Sequence, residues 1–219
     1  MLNIIFRNRL LFAGYFLILI ICIVVLSNYG KKDTHLLLTG FHTLILDGIM
    51  RFMTLLGDGF FMVAIGLLLL FKKLRYGLVI LSSFVITSLV VQGLKRLIFS
   101  DFKRPVAWFH DLGIEISRVP GVEYHSYFSF PSGHTTTAFA LFFGLAFMVK
   151  NNFLKILFLI LAAWIGFTRV YLSQHFLGDA MAGSLIGVFT VLLVQSQFEK
   201  IQSESMNKGI TSFRRDRNE

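Results

Sequence analysis

Residues 10–27 read LLFAGYFLILIICIVVLS, eighteen consecutive positions without a single Asp, Glu, Lys, Arg or His. A helix of that length rises about 27 Å, close to the roughly 30 Å of hydrocarbon that a bilayer presents. Working outward from this run, comparable stretches recur at Tyr76–Leu94, at Pro131–Val149, which contains His134, and at Ala180–Phe198. Two further runs carry ionisable groups: Phe52–Phe71 includes Asp58, and Phe153–Leu172 has Lys155 and Arg169 near its ends, where long side chains snorkel to the interface. The pattern predicts an all-α polytopic membrane protein with six transmembrane helices. With 55% hydrophobic residues and 25 Phe, the composition excludes a soluble monomer. The single cysteine, Cys22, excludes an intrachain disulfide, so helix packing must hold the chain together.

Arg7 and Arg9 precede the first run, but Ser27-Asn28-Tyr29-Gly30 makes a poor cleavage site, and the segment reads as a retained helix. If every span crosses, Arg7 and Arg9, the connection with Lys72, Lys73 and Arg75, and that with Lys150 and Lys155 share one side, which the positive-inside rule makes cytoplasmic. Both termini then lie in the cytoplasm. The chain divides into a membrane domain over 1–198 and a polar cytoplasmic tail over 199–219. The +9 net charge is not read as a nucleic-acid signature, because the tail mixes five basic with four acidic residues. Between the first two spans, the spacing of Leu37, Phe41, Leu44 and Ile45 predicts an interfacial helix on which His35 and His42 are surface side chains.

All three prolines fall between Lys95 and the start of the fourth span, and all six histidines lie on the outer side. The extended outer loop between spans three and four is therefore where function is sought. Three clusters reach that face: Lys95-Arg96 through Lys103-Arg104-Pro105, then Pro131-Ser132-Gly133-His134, then Thr168-Arg169 through His175 and Asp179. His175 and Asp179 are four apart, the spacing that puts both on one helical face, so a carboxylate can hold one imidazole nitrogen and free the other to attack. Arg104 and Arg169 supply forked donors for phosphate oxygens, Lys95 a point charge, and Ser132 with the Gly133 N–H a cradle at a helix N-terminus. His175 suits the nucleophile and His134 the acid that protonates a departing alkoxide. A zinc site built on His134, His175 and Asp179 is the alternative, disfavoured because at least three fixed cations around one carboxylate repel a divalent metal. Asp58 reads as a helix cap and Asp101 as a partner of Lys103.

Together the clusters resemble the type 2 phosphatidic acid phosphatase family, whose pattern is Lys-x6-Arg-Pro, Pro-Ser-Gly-His and Ser-Arg-x5-His-x3-Asp. The resemblance spans Lys95–Asp179. The second element matches fully; the third has Thr168 in place of Ser, which keeps the hydroxyl. In the first, Lys95 precedes Arg104 by nine positions where seven is usual, leaving Arg96 as the alternative occupant. The resemblance implies metal-independent dephosphorylation without a cofactor: His175 as nucleophile, Asp179 orienting it, His134 as general acid and base, and Lys95, Arg104, Ser132, Gly133 and Arg169 binding phosphate. It also implies a lipid phosphate or diphosphate as substrate (phosphatidate, phosphatidylglycerophosphate, undecaprenyl diphosphate or lipid A), in a bacterial inner membrane with the site facing the periplasm. A lipid phosphotransferase, and a transporter or scaffold that binds phospholipid without turnover, are the competing readings.

Overall fold

The structure, a computed structural model, describes residues 1–210. A short helix α1 (Leu2–Arg7) leads into α2 (Arg9–Thr39), which bends at Gly30, where a φ of 67° is open to glycine at no steric cost. Helix α3 (Leu44–Thr54) starts on the Thr43 side chain, which accepts from the Leu46 N–H, and ends in a 3-10 turn. Asp58 then breaks the chain and caps α4 (Gly59–Lys72), accepting the Phe60 N–H at 2.8 Å. Helix α5 (Leu74–Gly93) closes in a π turn over Leu94–Ile98, and α6 (Pro105–Asp111) sits in the long loop. The remaining helices are α7 (Gly133–Met148), α8 (Asn152–Tyr171) and α9 (Leu177–Lys200).

Helix α7 is apolar on every side and lies at the centre, packed by α5, α8 and α9. Its Phe139, Phe143 and Phe147 stack among Phe12 and Tyr15 of α2. On α9, a Cβ at Gly183 would stand 2.5 Å from the Ser132 carbonyl oxygen and one at Gly187 2.4 Å from that of Thr136. These glycines let the two backbones touch, the device by which membrane helices associate when lipid removes the hydrophobic drive. The start of α7, the start of α9 and the end of α8 are thereby drawn to one end of the bundle. On the outside, Phe16, Leu17, Ile20, Ile21 and Val24 of α2 are exposed, as a lipid-facing surface requires.

Among the described residues, four helices are long and apolar enough to cross a membrane (α2, α5 with its π turn, α8 and α9), the α3–α4 pair, bent by 53°, is a fifth candidate, and the six expected spans also need α7, which is apolar but shorter. Helix α7 falls short of that length because Pro131 and Ser132 stay outside it and the helix stops at Met148. The segment around Leu37–Ile45 is not one interfacial helix: α2 runs to Thr39, and the chain breaks before α3. His35 is buried, not superficial, because α6 folds back over α2 and sets Phe109 against the imidazole. Lys103 pairs with Asp111, whereas Asp101 accepts from Ser100. The first part of the tail is largely exposed and is tied to the bundle, with the Arg75 guanidinium on the Phe198 and Ile201 carbonyls and the Leu74 N–H on the Lys208 carbonyl. Residues 211–219 of the expected tail lie outside the described residues.

Candidate active site

Six of the eight expected residues line one cavity of about 700 Å3: Lys95, Arg104, Gly133, His134, Arg169 and His175. Asp179 stands behind His175, its Oδ2 3.6 Å from the imidazole Nδ1, and is itself nearly buried. The eighth, Ser132, is fully buried and not on the cavity wall; its hydroxyl caps α7, accepting from the Thr135 N–H and hydroxyl. Five different elements contribute, so the site exists only when the bundle is assembled.

The Asp179 carboxylate is fixed before it meets the histidine. Its Oδ2 accepts from the Ser129 hydroxyl at 2.6 Å and from the Phe176 N–H at 3.0 Å, the latter satisfying a free donor at the start of α9. Nδ1 of His175 has no hydrogen-bond partner, and the carboxylate is the acceptor that faces it. Burial pushes the His175 pKa down to about 3; Asp179 opposes this, while Arg104 and Lys95 add to it. The ring is therefore neutral at neutral pH, and a proton on Nδ1 facing Asp179 leaves the Nε2 lone pair free. The turn that carries His175 is supported from α2, where His35 Nε2 lies 3.2 Å from the Ser173 hydroxyl. His134, in the first turn of α7, has Nε2 3.8 Å from Asp58 Oδ2.

The two guanidiniums are held by neutral partners, which leaves their charge for a ligand. Arg169 donates to the Thr54 hydroxyl at 2.8 Å, and Arg104 to the Tyr127 carbonyl at 3.0 Å. Gln174 bridges the two guanidiniums, its Oε1 accepting from Arg104 at 2.9 Å and from Arg169 at 3.3 Å. Burial lowers the Arg104 pKa and Asp179 raises it; a guanidinium stays charged regardless. Lys95 is buried on the cavity wall, whereas Arg96 is exposed and lines a neighbouring cavity. The π turn at Leu94–Ile98 takes up an extra residue just where the spacing to Arg104 is long.

Sequence reasoning did not single out Gln174, Thr54 or Ser129. Gln174 abuts His175 and Ser129 lies two residues before Pro131, a signal that nearness in the chain could have raised; Thr54 sits on α3, and nothing local marks it. Of the loop residues, Glu123 and His125 reach the cavity, while Tyr124 is occupied in accepting the Val119 N–H.

Residues 72–203 match the family model described as PAP2 superfamily. The chain belongs to the PAP2 superfamily. This PAP2 protein is 35% identical over 92 residues to a lipid A 1-phosphatase of Rhizobium johnstonii, covering 42% of this chain and 36% of that protein. It is 38% identical over 88 residues to phosphatidylglycerophosphatase B of Bacillus subtilis, covering 36% and 43% respectively. The matches thus span less than half the length of either relative. Among solved structures, a transmembrane PAP2-type phosphatidylglycerolphosphate phosphatase from Bacillus subtilis superposes with a TM-score of 0.65 at 23% identity, over 91% of this chain and 99% of that one. The shared fold is that of a helical membrane protein.

Proposed function

We propose that this PAP2 protein is a lipid phosphate phosphatase that works through a phosphohistidine on His175. The observation that carries the reading is the one cavity on whose wall His134 and His175 meet Lys95, Arg104 and Arg169, with a fixed carboxylate behind His175. In the first step His175 Nε2 attacks phosphorus, the bond from phosphorus to the lipid oxygen breaks, and His134 gives its proton to that oxygen. In the second, His134 takes a proton from water, the water oxygen attacks phosphorus, and the P–N bond breaks to release inorganic phosphate. Lys95, Arg104, Arg169 and the Gly133 N–H hold the phosphoryl oxygens and the charge that builds on them. The same cations disfavour a divalent metal at this place, so the reaction is assigned no cofactor.

A lipid is favoured over a soluble ester because the cavity lies at the ends of apolar helices, where a membrane-embedded tail delivers its headgroup. The names of the relatives point to lipid A or phosphatidylglycerophosphate. With α7 counted as the sixth span, the site is assigned to the periplasmic face of a bacterial inner membrane, with both termini in the cytoplasm, on the distribution of Lys and Arg. The test is phosphate release by detergent-solubilised protein in EDTA, over phosphatidate, phosphatidylglycerophosphate, undecaprenyl diphosphate and lipid A. Wild type is expected to turn over at least one lipid and His175→Ala none. Release that needs added metal, or that survives the substitution, overturns the mechanism.

A further inference from the structure

Arg51 lines the same cavity as His134 and His175, yet it belongs to none of the three clusters. It lies in the last turn of α3, three positions before Thr54, whose hydroxyl accepts from Arg169. Side chains three apart on a helix share a face with about 5–6 Å between their Cβ atoms. Arg51 therefore stands about one turn along the wall from the contact that holds Arg169. Its guanidinium rests on the turn at Gly121, where φ is +77° and a Cβ would come within 2.8 Å of Nη2. A backbone without a side chain thus makes the room it occupies.

Among the described residues, Arg51 forms no ion pair. The acid that shares the cavity wall, Glu123, has its carboxylate 4.0 Å from His125, and its carbonyl accepts from Gln174. A cavity of about 700 Å3 takes a whole headgroup, not one phosphate. An exposed guanidinium without an ion pair, set one turn of α3 from the Thr54 hydroxyl that holds Arg169 and backed by main chain, is placed to take a second anion.

We propose that Arg51 binds a second phosphate of the substrate, next to the one that is cleaved. Resting on the phosphatase reading above, this names the preferred substrate class as a lipid headgroup with two phosphorus centres close together. They are either joined directly as a diphosphate or separated by a short polyol bridge. A single phosphate monoester uses the His175 site alone.

Two measurements on the full chain in detergent test this. By calorimetry, wild type is expected to bind methylenediphosphonate about tenfold more tightly than inorganic phosphate, and Arg51→Gln to erase that difference while leaving phosphate affinity within about twofold. Arg51→Lys, which keeps the charge without the fork, should fall between. In turnover, Arg51→Gln should lower kcat/KM for two-phosphorus lipids about tenfold and leave phosphatidate unchanged. A loss confined to undecaprenyl diphosphate identifies the joined arrangement, and one confined to phosphatidylglycerophosphate the bridged one. Equal loss of phosphate and diphosphonate binding, or no loss of either, overturns the assignment. If wild type releases phosphate from no lipid while the binding difference persists, the hydrolase reading fails and the second anion site stands.

Discussion

Replacing Asp179 with Asn separates the charge of this residue from its shape. In the proposed first step an imidazolium-like charge develops on His175 with its Nδ1 3.6 Å from Asp179 Oδ2. At that distance and an effective dielectric constant of about 20, opposite unit charges attract by about 4–5 kcal/mol. At about 1.4 kcal/mol per decade, losing that attraction slows the chemical step roughly a thousandfold. The amide of Asn can still accept the Phe176 N–H and the Ser129 hydroxyl, so the start of α9 is retained and destabilisation should stay near 1 kcal/mol. The assay is single-turnover phosphate release with saturating lipid, alongside thermal unfolding in the same detergent. The fall should appear in kcat with KM nearly unchanged, because the charge matters only once His175 becomes cationic. A loss of less than about tenfold, or one carried entirely by KM, refutes the claim that Asp179 acts electrostatically through His175.

Other consequences follow from the same contacts. Gln174→Ala removes the oxygen that spaces Arg104 from Arg169, and steady-state kinetics should show KM rising roughly tenfold with kcat little changed. Because burial holds the His175 pKa near 3, the unfolded chain binds a proton at this residue between about pH 6.5 and pH 3 that the folded chain refuses. Stability should therefore fall as pH drops through that window, and melting curves of His175→Gln should fall less steeply than those of wild type. Gly187→Ala forces a methyl onto the Thr136 carbonyl and pries α9 from α7; unfolding should show a loss of about 1–3 kcal/mol and activity should drop with it.

The charge-free runs and the three clusters could be read without coordinates, because lipid demands long apolar segments and phosphate demands guanidinium, lysine and free N–H donors, whatever the packing. His134, Arg169, His175 and Asp179 stand out as candidates in this way, from residue type and spacing, and the structure brings them together. Which side chains share a wall was another matter. Arg51 and Thr54 lie more than 40 positions from any cluster, and they reach the cavity only because the chain breaks at Asp58 and lays α3 beside the end of α8. Ser132 and Ser129 could not be told apart by composition: the first hydroxyl is spent on capping α7 and the second on holding Asp179. His35 looks like a surface residue on its own helix and is buried by another. Local patterns record what each segment needs from its solvent, whereas the site depends on backbone contacts such as those of Gly183 and Gly187 with α7, which form only between segments far apart in the chain.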